Sequence, residues 1–382
     1  MANSRSLTAK LSALLVQALT PARVSGQPVT VALSGGLDSV ALLHAIWCLR
    51  DVHHWTIQAA HVHHGLQPAA GDFAAFCAQL CARWQIPYHL HSLDLSDLGN
   101  NIEAQARTAR YAALAVYPCL VLAQHADDQA ETVLLQLLRG AGVAGLAAMP
   151  AVQEGATQVR LRPWLSVSRA EIARYAQAYD LPWVEDPSNQ SLRFDRNFLR
   201  HQVLPLLKDR FPAWPHTVGR TAAHCAQAAN LLTQLAHLDG LPPPDQPLAL
   251  SQWRALPTSR QGNVLCAFLR QYADYLPHQA QIVTLQQQLQ QADEQTHVSL
   301  QWGEWEVQQF ADYLYCFARL PALCDVSQVW QGESQLSWCG GQLTARWARG
   351  KGVAVARLEA FSSVVLRLRQ GGERLQVEDR KS

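Results

Sequence analysis

The chain has 382 residues and a formal net charge of +1; 49% of the residues are apolar and 16% are charged. That length exceeds one typical core, so two or three domains are expected, and the balance excludes a disordered chain. No apolar run reaches the roughly 18 residues that span a bilayer, and the N-terminal stretch with Arg5 and Lys10 has no signal-peptide pattern. No membrane partner is expected, and a cytoplasmic location follows by default. The nine cysteines include no C-x-x-C pair, which argues against a disulfide framework and a zinc site. Cys77 and Cys81 share a helical stripe with Phe73, Phe76, Leu80 and Trp84, a pattern that predicts a buried face. Near-zero net charge does not announce a nucleic-acid binder. Of 31 basic residues, however, all but Lys10, Lys208, Lys351 and Lys381 are Arg, the residue suited to bidentate phosphate contacts; genome composition alone would give the same bias.

In chain order, residues 29–33 read as a short buried strand, 34–39 as a tight turn and 40–49 as a helix. A strand follows over 57–62, a helix over 73–85, a strand over 88–93, a helix over 103–115, a short strand over 120–123 and a helix over 127–138. This alternation predicts an α/β fold, a doubly wound, mostly parallel sheet whose ligands sit beyond the carboxyl ends of the strands. The notable residues fall there, at 34–39, 61–65 and 124–131. Past about 215 the character changes. Residues 217–238 and 259–291 look helical around a Pro-rich break at 241–247, and from 297 onward short strand-like runs alternate Trp, Val and Tyr with polar residues. The expected division is a catalytic domain over 1–215, a mainly helical domain over 216–320 and a small α+β domain over 321–382.

The most informative segment is Ser34-Gly35-Gly36-Leu37-Asp38-Ser39. Two glycines let backbone amides approach a ligand, and the helix that follows turns its N-terminus toward an anion. Ser34 and Ser39 add hydroxyls. No Gly-Lys-Ser/Thr closes the segment and no G-x-G-x-x-G is present, so neither a Walker A loop nor a dinucleotide site is indicated. Asp38 beside bound phosphates makes sense with a bridging cation, most simply Mg²⁺. Further along, His125, Asp128, Glu131 and Thr132 recur at helical spacing and share one face at the start of a helix. Two carboxylates there would repel each other without a cation between them; the plain alternative is an acidic first turn set against the helix dipole. Glu103, Arg107 and Arg110 share another helix face, which alone would equally suit a solvated salt-bridge set. His61, His63 and His64 lack the matched second cluster a metal site would need.

The Ser34–Ser39 segment matches the S-G-G-x-D-S signature of PP-loop ATP pyrophosphatases. Together with His61-Val-His-His-Gly-Leu66, Ile102-Glu-Ala-Gln-Ala-Arg107 with Arg110-Tyr111, Gln124-His-Ala-Asp-Asp-Gln-Ala-Glu-Thr132, and Glu185-Asp-Pro-Ser-Asn189 with Arg196, Asn197 and Arg200, it resembles the tRNA(Ile)-lysidine synthetase family over about 30–205. The resemblance implies ATP as co-substrate with Mg²⁺ on Asp38, and nucleotide binding by Ser34, Gly35, Gly36, Leu37, Asp38, Ser39 and the turn at His61. It implies that free L-lysine is held by Asp128 and Glu131, with Arg107 and Arg200 on lysine or phosphate groups. His125 or a carboxylate would serve as the base. The implied partner is the isoleucine tRNA with a CAU anticodon, whose wobble cytidine is adenylated and then displaced to lysidine. The resemblance admits a homodimer. The alternative is another PP-loop tRNA-modifying or amidating synthetase. Thiolases commonly need paired cysteines, and Arg160, Arg162, Arg193, Arg196, Arg200 and Arg210 favour a macromolecular substrate over a small one. Gln124 departs from the second His of many members. Gln370 to Arg374 is family-like, but a Lys-rich continuation is expected after it, so 321–382 is expected to be incomplete and the grip on tRNA weak.

Overall fold

A computed structural model of the chain describes residues 2–20, 26–63, 70–93, 102–186, 190–273, 275–293, 296–319, 327–330, 333–338, 341–346 and 364–367. His64 to Leu66, Pro187 to Asn189, the side chain of Glu103 and the family-like stretch 370–374 lie outside these. The chain packs as two units, Met1–Gln234 and Leu235–Ser382.

The first unit is built on a six-stranded sheet in the order β3-β2-β1-β4-β6-β5. Its strands are β1 (Val29–Ala32), β2 (Ile57–His63), β3 (Tyr88–Ser92), β4 (Cys119–Val121), β5 (Val152–Glu154) and β6 (Val159–Leu161). All pairings are parallel except the edge pair of β5 with β6. The crossovers are helical: α1 (Ala2–Leu19) precedes β1, and α2 (Leu37–His53), α3 (Ala70–Arg83) and α4 (Ile102–Leu114) join the first four strands. After β4 come α5 (Ala126–Leu138) and the single turn α6 (Val143–Leu146), and after β6 comes α7 (Arg169–Ala178). Val29, Val31, Leu42, Leu43 and Ile46 from the first β–α unit pack with Leu11 and Leu15 of α1 and with Trp164, Ile172 and Tyr175. Cys77 and Cys81 are fully buried in this core, as their spacing predicts, and burial pushes their thiols up to about 12 and about 11. The elements α1, α7 and the β5–β6 pair were not among the sequence expectations. They are short or weakly patterned, and only tertiary packing distinguishes them.

Sheet order reverses between β1 and β4, which opens a crevice at their carboxyl ends where loops 33–36 and 122–125 face each other. A third irregular stretch supplies arginines: α8 (Asp195–Phe198), a π-helical turn (Leu199–Val203) and α9 (Leu204–Arg210).

The second unit contains α11 (Leu250–Arg254), α12 (Thr258–Arg270) and α13 (Gln279–Gln291), reached through α10 (Trp214–Leu238). The stretch expected to be helical over 259–291 is thus two helices, because Pro277 just before α13 cannot continue the first one. Its antiparallel sheet runs β7-β10-β9-β8, with β7 at Leu248–Ala249, β8 at Ser299–Trp302, β9 at Trp305–Phe310 and β10 at Tyr313–Ala318. Trp253, Leu265, Phe268, Leu289, Val307 and Leu314 form its core. Arg254 ties the helices to a hairpin by donating to Leu289 O (2.9 Å), Ala292 O (3.0 Å) and Asp312 Oδ1 (3.2 Å). Two small antiparallel pairs complete the described residues: β11 (Ser327–Trp330) with β14 (Val364–Arg367), and β12 (Gln335–Trp338) with β13 (Gly341–Thr344).

Two local features hold the crevice in shape. Gly35 adopts φ +85°, and a Cβ there would meet Val184 Cγ2 at 3.0 Å and Cys77 Sγ at 3.1 Å. Its carbonyl accepts from Val184 N at 3.0 Å, so the turn is clamped from both sides. The start of α7 is fixed by a capping box: Glu171 N donates to Ser168 Oγ (3.3 Å) and Ser168 N to Glu171 Oε2 (2.9 Å). Lys10 Nζ then reaches Glu171 Oε1 from α1 at 2.7 Å. Burial works to raise the Glu171 carboxyl, but the bonds from Lys10 and Ser168 outweigh it and hold it down to about 2.

Gly35→Ala should cost about 1–3 kcal/mol, through strain at a left-handed position with no room for a methyl group. Urea unfolding measures this, and an unchanged midpoint would mean that the turn relaxes freely. The Glu171 carboxyl lies below its ordinary value of 4.5, so its contribution to stability is present above that pH and is lost as pH falls from there toward about 2. Glu171→Gln should therefore lower stability at pH 7 by about 1–2 kcal/mol, reduced because Lys10 is half-exposed, and flatten the acid limb of stability against pH. Parallel acid limbs in the two proteins would exclude this role.

Candidate active site

The turn after β1 is internally braced. Ser39 Oγ donates to Gly36 O at 3.0 Å and lies 3.0 Å from Ser34 Oγ, while Ser34 N donates to Ser39 Oγ at 3.2 Å and Gly36 N to Ser34 Oγ at 3.3 Å. The two serines therefore shape the loop and do not stand free as ligand donors. Gly36 caps α2 without any side-chain acceptor, and the amides of Leu37, Asp38 and Ser39 find no acceptor among the described residues. Three such amides at the positive end of a helix are suited to meet an anion. Asp38, in the same first turn, has one carboxylate oxygen, Oδ1, that is buried and without a hydrogen-bond partner. The other, Oδ2, faces His125 Nε2 at 3.7 Å and Arg169 Nε at 3.8 Å.

Across the crevice, His125 is the N-cap of α5 in a reciprocal box with Asp128. Asp128 N donates to His125 Nδ1 at 3.3 Å, and His125 N donates to Asp128 Oδ2 at 3.2 Å. Burial alone would lower the proton affinity of this imidazole, but Asp128, Asp38 and Asp127 together raise it above the usual value. The cap requires Nδ1 as acceptor, so the neutral ring carries its proton on Nε2, toward Asp38 and toward Asp128 Oδ2 at 3.4 Å. His125 thus joins the two carboxylates from the two sides of the crevice. The start of α7 completes this wall: Ala126 N donates to Val167 O and Arg169 N to Asp127 Oδ2, both at 2.8 Å.

One turn further, Glu131 is 1% exposed, and both its oxygens are taken by Arg200: Nε to Oε1 at 2.7 Å and Nη2 to Oε2 at 2.8 Å. Arg200 Nη2 also reaches Asp128 Oδ1 at 3.1 Å. Arg196 adds Nε at 3.3 Å from Glu131 Oε2 and donates from Nη2 to Thr132 Oγ1 at 2.8 Å. Thr132 Oγ1 in turn donates to Asp128 O at 2.7 Å. Burial raises the Glu131 carboxyl above its ordinary range, and Arg200 pulls against that rise. Bidentate charge-assisted bonds of this kind are what make a buried carboxylate tolerable.

The expected residues Asp38, His125, Asp128, Glu131 and Arg200 therefore come together. Arg107 does not join them: its guanidinium carbon lies 5.1 Å from the centre of the Tyr111 ring. His61 is buried in β2, its Nδ1 2.7 Å from Leu33 O and 3.7 Å from Cys77 Sγ, and burial lowers its proton affinity. Its side chain braces β2 against the end of β1. Gln124, the departure from the family pattern, accepts from Arg162 Nε. Arg169 was missed by the sequence reading. The Ser168-x-x-Glu171 box ahead of it marks a helix start and would have placed it at a sheet's carboxyl edge. Among the described residues no cluster of three or more His, Cys, Asp or Glu gathers to hold a metal, and no helix is long and apolar enough to cross a membrane.

Residues 5–207 match the PP-loop domain family, and residues 248–315 match the TilS substrate binding domain family. A tRNA(Ile)-lysidine synthase of Coxiella burnetii is 38% identical to the chain over 358 residues, covering 92% of this chain and 80% of that one. Those of Pectobacterium atrosepticum (37% identical, 94% and 83% covered) and Nitrosomonas europaea (38% identical, 92% and 79% covered) are similarly related. The crevice lies wholly inside the first matched region, and likeness at this level runs through nearly the whole sequence, so the chain belongs to the tRNA(Ile)-lysidine synthase family.

Proposed function

We propose that the chain ligates free L-lysine to carbon 2 of the wobble cytidine of the isoleucine tRNA with a CAU anticodon, using ATP and yielding lysidine, AMP and pyrophosphate. It is an enzyme of the ligase type, forming a carbon–nitrogen bond. The observation that carries the reaction is the joining of the phosphate-binding turn to the acidic start of α5 through His125, within a chain related to these synthases along nearly its whole length. Functionally we divide the chain as 1–215 for catalysis, 216–320 for tRNA binding and 321–382 as a C-terminal domain, with a homodimer as the proposed assembly.

In the first step the 2-carbonyl oxygen of cytidine attacks the α-phosphorus of ATP, the bond to the β-phosphate breaks, and pyrophosphate leaves. The free amides of Leu37, Asp38 and Ser39 face the charge that builds on the departing group. The partnerless buried oxygen of Asp38 suits Mg²⁺, which takes one or two carboxylates together with substrate phosphates and needs no all-protein cage. Bound there, Mg²⁺ would neutralise phosphate charge. In the second step the ε-amine of lysine attacks carbon 2, the bond from that carbon to the adenylated oxygen breaks, and AMP departs with the oxygen. The amine must shed a proton, and His125 or Asp128 stands where it can be taken. Asp128 is 18% exposed and the more open of the two carboxylates, so it receives the ammonium first; Glu131 reaches it as Arg200 gives way. The target base must leave its stack to enter the crevice. The reaction is tested by following pyrophosphate release with ATP, Mg²⁺, lysine and a panel of tRNAs. Release that ignores both lysine and the CAU-anticodon tRNA would overturn it.

Asp38→Asn should abolish pyrophosphate release while circular dichroism and melting temperature stay close to the parent's, because the lost oxygen has no partner in the fold. Turnover like the parent's would remove Asp38 from the phosphate chemistry. Glu131→Gln should raise the KM for lysine more than that for ATP, as loss of one carboxylate facing a desolvated ammonium costs about 2–5 kcal/mol. It should also lower stability, since Arg200 and Arg196 are left without their buried counter-charge. Equal changes in both KM values, with the stability loss alone, would make Glu131 purely structural.

A further inference from the structure

Arginines also gather where, among the described residues, no carboxylate meets them. Tyr111, on α4, has the guanidinium carbons of Arg160, Arg107 and Arg110 at 4.7, 5.1 and 5.5 Å from the centre of its ring. Its hydroxyl is fixed by hydrogen bonds with Gln124 and with Arg162. Arg162 is fully committed: it is 4% exposed and donates to Gln124, to Pro150 O at 2.8 Å and to Gln153 Oε1 at 3.2 Å. Arg160 uses only Nε, on Gln158 Oε1 at 2.6 Å. Among the described residues no carboxylate contacts Arg107, Arg110 or Arg160. Arg107 is exposed, and Arg110 and Arg160 are half-buried, so the group opens to solvent.

The ring face attracts each guanidinium, while the cations repel one another. Stacking therefore gathers the cations without neutralising them. The contrast with Arg196 and Arg200, which close onto Glu131, is direct. Burial favours the neutral phenol of Tyr111, but Arg107, Arg110 and Arg162 outweigh it and pull its proton affinity below the usual value. The Arg110 side chain also feels Arg196, so the group borders the carboxylate cluster of the crevice. Arg160 lies on β6, two strands from the phosphate-binding turn after β1, a separation of about 10 Å.

Building on the function proposed above, we propose that Arg107, Arg110 and Arg160, gathered on the ring of Tyr111, seat one backbone phosphate of the RNA beside the base being modified. A planar fork matches a phosphodiester, and a phosphate contact positions an RNA without reading its sequence.

The test uses the full chain, a tRNA transcript with the CAU anticodon, a second tRNA, and anticodon stem–loops in which each linkage flanking the wobble base is replaced in turn by an uncharged methylphosphonate. Arg160→Gln should weaken binding of both tRNAs about tenfold at low salt and reduce the slope of log affinity against log salt by about one. One methylphosphonate should weaken binding to the parent protein and add nothing further in the variant. ATP affinity without RNA should be unchanged. Arg160→Lys, which keeps the charge but loses the fork, should fall between the two and provides the same comparison should the Gln variant fold poorly. An unchanged slope, or independent and additive effects of the variant and every methylphosphonate, would overturn the seat while leaving the ligation reaction standing. A matched loss of ATP affinity would overturn it in favour of a nucleotide contact. If the parent protein bound no tRNA, the underlying function would fail first.

Discussion

Glu131 places a carboxylate on the buried side of α5, where ionisation is costly unless a cation meets it. Arg200 meets it with both arms of its fork, and that one contact decides much of the crevice. It draws the irregular 195–210 stretch onto α5. It shares one nitrogen with Asp128, whose other oxygen is bonded to the His125 amide and closes the helix cap. The cap in turn directs Nε2 of His125 back to Asp38 on the opposite wall. The site is therefore an alternating chain of charges, each held by the next, running from the buried side of α5 to the phosphate-binding turn.

The form of the 195–210 stretch follows from that demand. Arg196 and Arg200 are four residues apart and both must reach the same carboxylate from 3.3 and 2.7 Å. The turn carrying Arg200 is π-helical, a wider coil that recurs at functional positions and is costly elsewhere.

What the sequence made legible was local. Ser34 to Ser39 announces an anion-binding turn because glycine and helix-start chemistry act within six residues, and the spacing of His125, Asp128 and Glu131 puts them on one helical face irrespective of the rest of the chain. The doubly wound sheet follows from alternating patterns that survive local noise. Contacts set by tertiary packing were not legible. Arg200 on Glu131 spans 69 positions, and Arg169 nears Asp38 only because α7 starts at the crevice. The same applies to Ser34 and Ser39. Their hydroxyls suggest ligand donors, but in the closed turn they bond each other and the Gly36 carbonyl. The helical stretch after 259 was overextended because its polar pattern carries through the break that Pro277 enforces.

The arginines make the final point about how charge is used. Counted along the sequence they form one basic population, and a net charge of +1 hides it. In the fold they divide by partner. Arg196 and Arg200 meet carboxylates, so their charge is neutralised in place and contributes order. Arg162 is buried among carbonyl and amide oxygens and serves as a strut beneath Gln124 and Tyr111. Arg107, Arg110 and Arg160 rest on a ring face that holds cations without cancelling them. Of these three groups, it is the last that leaves its positive potential directed at solvent. Three guanidinium groups gathered at one ring make a local positive field that a near-zero total charge does not reveal. The total charge has almost no influence on where a polyanion lands.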